Sequence, residues 1–230
     1  MHLAIDTSTD NASFALVSGS TVIFELGWKC GQNHTVEFLP RLQYLMAQHC
    51  LDVKDIDGLS VALGPGSFSG TRVGLSIAKG LVYSLDIPLC GVSSLEVEAY
   101  PFAITGLPIC PVHNAGRGEL AAAIYQTQDG VWKQVKAENI TTLDALISET
   151  AEKTIFCGEL TDTNIEEIET KLKDTAVIPS FAARVRRAAF LAELGQKRLD
   201  EGKSDNPATL QPIYLRRPAI SKPKKEYGSV

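Results

Sequence analysis

Much of what this 230-residue sequence could be is excluded by what it lacks. No apolar run approaches the roughly 18 residues that span a bilayer. The opening Met1-His2-Leu3-Ala4-Ile5-Asp6 has no basic stretch and meets an acid at its sixth residue, so no secretory signal is expected. Cysteine is sparse and unpaired in pattern. Cys30, Cys50, Cys90, Cys110 and Cys157 are odd in number and widely spread, with no Cys-x-x-Cys, which fits reduced thiols in a cytoplasmic protein. The four histidines, His2, His34, His49 and His113, form neither His-x-x-x-His nor His-Glu-x-x-His, so no metal is expected. No Gly-x-Ser-x-Gly nucleophile elbow occurs. An excess of positive charge is missing too: 22 Lys and Arg face 27 Asp and Glu, a net charge of −5, which suits unaided gripping of nucleic acid poorly.

What remains is an ordinary globular composition, 44% apolar and 21% charged. Leu3–Ile5, Ser13–Val17 and Val22–Leu26 are turn-bounded apolar runs that predict an antiparallel meander. From His34 to Cys50 the period changes. Leu39, Leu42, Met46 and Cys50 recur at helical spacing, with Phe38, Leu45 and His49 alongside and Pro40 near the first turn. A strand from Gly58 to Leu63, a glycine-rich turn, a helix from about Thr71 to Leu85 and a strand from Ile87 to Val92 form a unit that requires parallel pairing. A second meander follows, with strands at Ile109–Val112, Glu119–Tyr125 and Trp132–Val135. Helices at Leu143–Ala151 and Ile165–Leu172 then flank a strand at Thr154–Cys157. A long helix is expected from Phe181 to Gly202, with Phe181, Val185, Ala189 and Leu199 inside and Arg184, Arg187, Lys197 and Arg198 outside. Two related α/β units result, joined near residues 103–108. The expected division is 1–105, 106–215 with its last helix packing back on the first unit, and a flexible basic tail at 216–230. That tail carries Arg216, Arg217, Lys222, Lys224 and Lys225. It reads as solvated, with contact to RNA phosphates or an acidic partner as the alternative.

The turn Gly64-Pro65-Gly66-Ser67-Phe68-Ser69-Gly70 follows a strand and opens a helix, a position that favours anions. It lacks the Gly-Lys-Ser/Thr of a Walker A loop, and Ser69 stands where a dinucleotide fingerprint needs its third glycine. It reads first as a tight turn with positive φ and Ser69 as helix cap, and second as a phosphate cradle of Gly64, Gly66 and Ser67. Asp6, at the end of the first strand, either caps its own turn or serves with Thr7 and Ser8 in nucleotide binding. Arg117, between Gly116 and Gly118, is a further candidate anion ligand. The helix after the turn carries two rows of small residues, Gly70, Gly74 and Ala78 and then Ser76, Gly80 and Ser84, beside the knobs Val73, Ile77, Leu81 and Leu85. Glycine inside a helix costs about 0.8–1 kcal/mol relative to alanine. Close approach of a second helix, from the chain's own fold or from a partner, would offset that cost.

Leu3-Ala4-Ile5-Asp6-Thr7-Ser8, His34-Thr35 followed by Leu39-Pro40, Gly64 through Gly74, and Gln211-Pro212-Ile213-Tyr214-Leu215-Arg216 together resemble the TsaB (YeaZ) family of bacterial tRNA modification proteins. The resemblance implies a fold of two ribonuclease-H-like units, as in the actin, Hsp70 and sugar-kinase (ASKHA) superfamily. It implies a non-catalytic scaffold subunit rather than an enzyme, with no cofactor. Such a subunit pairs with TsaD, which transfers threonylcarbamoyl to N6 of adenosine 37 in tRNAs reading codons that begin with A, and assembles with the ATPase TsaE. It forms a homodimer when alone and meets tRNA only through the complex. The implied pairing surface comprises Leu39, Leu42, Leu45, Met46, Gly70, Val73, Gly74, Ile77, Ala78 and Leu81. The chain departs from its relatives in three places. It lacks the His-x-x-x-His pair of TsaD, it has Ser8 where the superfamily's phosphate hairpin carries glycine, and it reads Asn114-Ala115-Gly116-Arg117 where family members have Asp-Ala-Arg. The alternative from the same superfamily is an ATP-binding small-molecule kinase or ATPase.

Overall fold

The computed structural model describes residues 1–31 and 33–216. Strands β1 (His2–Asp6), β2 (Asn11–Ser18) and β3 (Thr21–Lys29) form the first meander. Helix α1 (His34–Gln48) leads to β4 (Gly58–Ala62), and α2 (Phe68–Leu85) leads to β5 (Leu89–Val92). The sheet order is β3-β2-β1-β4-β5, antiparallel on the meander side and parallel on the crossover side. The second half repeats the plan. Strands β6 (Ile109–Gly116), β7 (Glu119–Gln128) and β8 (Val131–Thr141) form a meander. Helices α4 (Leu143–Glu149) and α5 (Asp162–Leu172) then lead to β9 (Thr154–Gly158) and β10 (Ala176–Val177). That sheet runs β8-β7-β6-β9-β10, the same arrangement with the same strand senses.

The alternation of strand side chains decides what covers each face. In β1, Leu3 and Ile5 point into a core with Phe14, Leu16, Phe38, Leu42, Met46, Leu75 and Val82, beneath α1 and α2. Ala4 points the other way, into a core with Ala15, Val17, Ala188, Leu191 and Ala192. Ala188, Leu191 and Ala192 belong to α6 (Ala188–Asp200), so the last helix crosses back to cover the open face of the first sheet. Small residues line that contact on both sides. A Cβ on Gly195 would sit 1.6 Å from Ser60 Oγ, so only glycine lets the helix lie this close. The second sheet is covered by α4 and α5 on one face and by α3 (Ser94–Ala99) on the other.

Several expectations are corrected. The last helix begins at Ala188, not near Phe181. Residues 181–184 form turns and 185–187 are irregular, with Phe181 82% and Val185 61% exposed, because the side chain of Arg186 is drawn inward by carboxylates. Helix α2 starts at Phe68 and is capped by Ser67, whose Oγ accepts from the Gly70 amide at 3.2 Å, in place of Ser69. Helix α3 was not foreseen. It holds two glutamates among its six residues, yet all six are buried. The junction between the halves is a 3-10 turn, Tyr100–Thr105, closed by Gly106 at φ +69°. The expected tail beyond Arg216 lies outside the described residues.

Candidate functional site

The turn after β1 and the turn before α2 are laced together. The Ser67 amide donates to the Ser8 carbonyl at 2.6 Å, Thr7 Oγ1 donates to the Gly70 carbonyl at 2.7 Å, and the Gly64 amide donates to Ser94 Oγ at 3.1 Å. A Cβ on Gly66 would lie 2.0 Å from the Ser8 carbonyl oxygen, so the two turns touch backbone to backbone. The expected phosphate ligands Asp6, Thr7, Ser8, Gly64, Gly66 and Ser67 are therefore brought together, and most of their polar groups already have partners inside the chain. The amides of Gly64, Ser67 and Gly70 already have acceptors inside the chain. Arg117 does not join them. It is exposed at the tip of the β6–β7 hairpin in the left-handed region, φ +60°.

Asp6 is 1% exposed and carries a different set of partners. Its carboxylate accepts from the Ser8 amide at 2.9 Å and from Ser8 Oγ at 2.7 Å. Arg186 Nε donates to it at 2.5 Å. The Arg186 guanidinium also reaches Ser8 Oγ at 2.9 Å, lies 3.5 Å from Glu98 and lies 3.0 Å from His113 Nε2. His113, on β6 of the second sheet, places Nε2 at 2.6 Å from Glu98 and donates from Nδ1 to the Pro65 carbonyl at 3.0 Å. Burial opposes a charge on this imidazole. The adjacent Glu98 carboxylate and its hydrogen bond outweigh burial and hold the His113 pKa above its ordinary value. Beside this cluster lies a cavity of about 480 Å³ between the two halves, walled by Trp28, Lys29, Glu159 and Arg184 as well as the cluster. Glu98, His113, Glu159 and Arg186 were not foreseen, because they meet only through contacts spanning 15 to 180 residues. One signal was present: His113 is the fifth residue of β6, the first strand of the second meander, as Asp6 is the fifth residue of β1 in the first.

Among the described residues no group of three His, Cys, Asp or Glu is arranged to hold a metal. Burial raises the thiol pKa to about 11 at Cys90 and about 12 at Cys110, and pushes Cys157 well above its usual value. These sulfurs are inert packing groups at neutral pH. His34 Nε2 donates to the Thr9 carbonyl at 2.9 Å.

The expected pairing surface divides into two sets. Leu42, Met46, Gly70, Gly74 and Ala78 are buried in the chain's own core. A Cβ on Gly74 would meet Thr7 Oγ1 at 2.3 Å, so this glycine row lets α2 settle on its own β1 turn. Leu39 is exposed, and Leu45, Val73, Ile77 and Leu81 are half-buried. The second small row, Ser76, Gly80 and Ser84, faces solvent, and nothing lies within 4 Å of a Cβ built on Gly80. Val36, Tyr44 and Tyr83, each more than 60% exposed, add apolar surface on the same two helices.

Comparison with known proteins adds a second line of argument. Residues 29–224 match the family model described as TsaD, tRNA N6-adenosine threonylcarbamoyltransferase. The tRNA threonylcarbamoyladenosine biosynthesis protein TsaB of Bacillus subtilis is 35% identical, over 93% of each chain. The protein of the same name from Escherichia coli is 36% identical over 60% of this chain and 61% of its own. The likeness to the tRNA N6-adenosine threonylcarbamoyltransferase of Tropheryma whipplei is 36%, over 42% of this chain and 28% of that protein. YeaZ from Pseudomonas aeruginosa superposes with a TM-score of 0.75 at 22% identity, over 93% of this chain and 99% of that one, and shares the fold.

Proposed function

Because the chain belongs to the TsaB (YeaZ) family of tRNA threonylcarbamoyladenosine biosynthesis proteins, we propose that it acts there as a non-catalytic scaffold that pairs with TsaD through the outer face of α1 and α2. The observation that carries this reading is the exposed strip on those helices. Leu39, Val73, Ile77 and Leu81 supply apolar contact, and Gly80 leaves room for a partner helix backbone. The same strip serves a homodimer when TsaD is absent, and TsaE and tRNA join the assembled pair in the cytoplasm. The small-molecule kinase or ATPase alternative needs the turn amides and the Asp6 carboxylate for a nucleotide. The Gly64, Ser67 and Gly70 amides already have acceptors within the chain, and the Asp6 carboxylate is already held by Arg186.

The test is co-purification with TsaD from the same cell and a tRNA modification assay with purified components. Wild-type chain should co-elute with TsaD and raise modification above TsaD with TsaE alone. Gly80→Trp, at an exposed position where an added Cβ would meet nothing within 4 Å, should fold normally yet lose co-elution and stimulation. A Gly80→Trp chain that still pairs and stimulates refutes this surface. Calorimetry of the isolated chain with ATP and magnesium should register no tight binding; tight binding would restore the kinase alternative.

A further inference from the structure

The buried cluster in the cleft has a charge count fixed by geometry. Asp6, Glu98 and Arg186 have side chains at most 7% exposed, and His113 is buried with them. Two facts constrain the protons. His113 Nδ1 faces the Pro65 carbonyl, which can only accept, so Nδ1 carries hydrogen. His113 Nε2 lies 2.6 Å from a Glu98 oxygen, a contact that an unprotonated nitrogen and a carboxylate would make repulsive. Arg186 Nη1, which can only donate, also lies 3.0 Å from Nε2, so Nε2 accepts there, and the one proton between Glu98 and His113 is shared with the Glu98 oxygen rather than fixed on Nε2. With it, the two acids, the guanidinium and the imidazole sum to zero. Without it, the site holds one uncompensated negative charge among side chains at most 7% exposed, an arrangement of high cost. The other groups facing the imidazole do not supply the balance. Glu159, which accepts from the Asn114 amide at 3.1 Å, adds negative charge, and Ser8 and Pro65 are neutral.

The members of this cluster come from different parts of the fold. Asp6 ends β1 of the first sheet, Glu98 lies on α3, His113 lies on β6 of the second sheet, and Arg186 immediately precedes α6. We propose that Arg186 is a bolt that holds the two sheets at a fixed angle across the cleft, and that the proton shared by Glu98 and His113 is its catch. Loss of that proton frees the cleft to open while each sheet stays folded. Arg186 thus occupies the cleft as an internal ligand, and the inference holds whichever partner docks on α1 and α2. The raised His113 pKa puts release above the ordinary imidazole range: the bolt is engaged below that pKa and slips as pH rises through it.

The test is amide hydrogen exchange on the full chain from pH 7 to 9.5, expressed as protection relative to the intrinsic rate at each pH. The reporters are cleft amides, Ser8 and Asn114, against Leu16 and Ala122 in the two sheet cores. Wild type should lose at least about tenfold protection at the cleft amides as pH rises, with the core amides unchanged. His113→Gln, which can still donate to Glu98 but does not titrate, should abolish that pH response. Arg186→Met should show loosened cleft amides already at pH 7. Should that variant fail to fold, Arg186→Lys, which keeps charge but not the fork, should show the same loss in part. A wild-type cleft with protection independent of pH overturns the proposal. So does a His113→Gln chain with the wild-type response, or core protection falling in step with the cleft, which would mark the cluster as part of global stability only.

Discussion

At the scale of single residues, glycine separates packing from surface. Gly66 and Gly80 look alike in sequence, but a Cβ on Gly66 would press into the Ser8 carbonyl at 2.0 Å while one on Gly80 meets nothing. Gly66→Ala should therefore destabilise by about 1–3 kcal/mol or more, since a backbone atom cannot step aside. Gly80→Ala should stabilise by about 0.8–1 kcal/mol, the helix-propensity difference. Thermal unfolding of the two variants should give shifts of opposite sign. His2 offers a pH prediction. It is 5% exposed beside Ser60 Oγ, and burial lowers its pKa to about 4, partly resisted by Asp57. Between pH 6.5 and 4 the unfolded chain accepts a proton that the folded chain refuses. Stability from this group is complete above pH 6.5 and is lost as pH falls through that window, about 3 kcal/mol in all and about 2 kcal/mol by pH 5. Urea midpoints at pH 7 and pH 5 should fall more for wild type than for His2→Gln; equal falls would contradict the assignment. Nothing in the sequence marks His2 as buried, because its partner Ser60 lies on another strand.

At the scale of elements, the strands were legible except the two-residue β10, and the helices only in part. The two meanders and parallel crossovers follow from turn-bounded apolar runs, whose period of two survives tertiary packing. In α1 the apolar residues surround much of the helix, so spacing alone could not separate Leu42 and Met46, which face the core, from Leu39, which faces out. In the last helix, Phe181 and Val185 fit the spacing, but an ion pair 180 residues away in sequence pulled Arg186 inward and moved the helix start to Ala188. Short α3 was hidden by Glu96 and Glu98. Their burial is tolerated because Arg198 grips Glu96 with two contacts of 2.6 Å and Arg186 and His113 hold Glu98. An apolar core position on α6 should behave differently from the docking strip. Leu191→Ala, at a site with 0% exposure, should cost about 2–5 kcal/mol by calorimetry without altering the apolar strip on α1 and α2.

At the scale of the molecule, the first sheet has two covers of very different origin. Helices α1 and α2 come from the same stretch of chain as its strands, whereas α6 arrives after the whole second sheet. During synthesis, residues 1–92 leave the ribosome with Ala4, Ala15, Val17 and Val92 still uncovered. They stay so until the region around Leu191 emerges about a hundred residues later. The nascent first half is thus sticky for as long as translation of the second half takes, a natural client for a holdase. A stop codon anywhere before residue 188 would leave an aggregating fragment rather than a working half-protein.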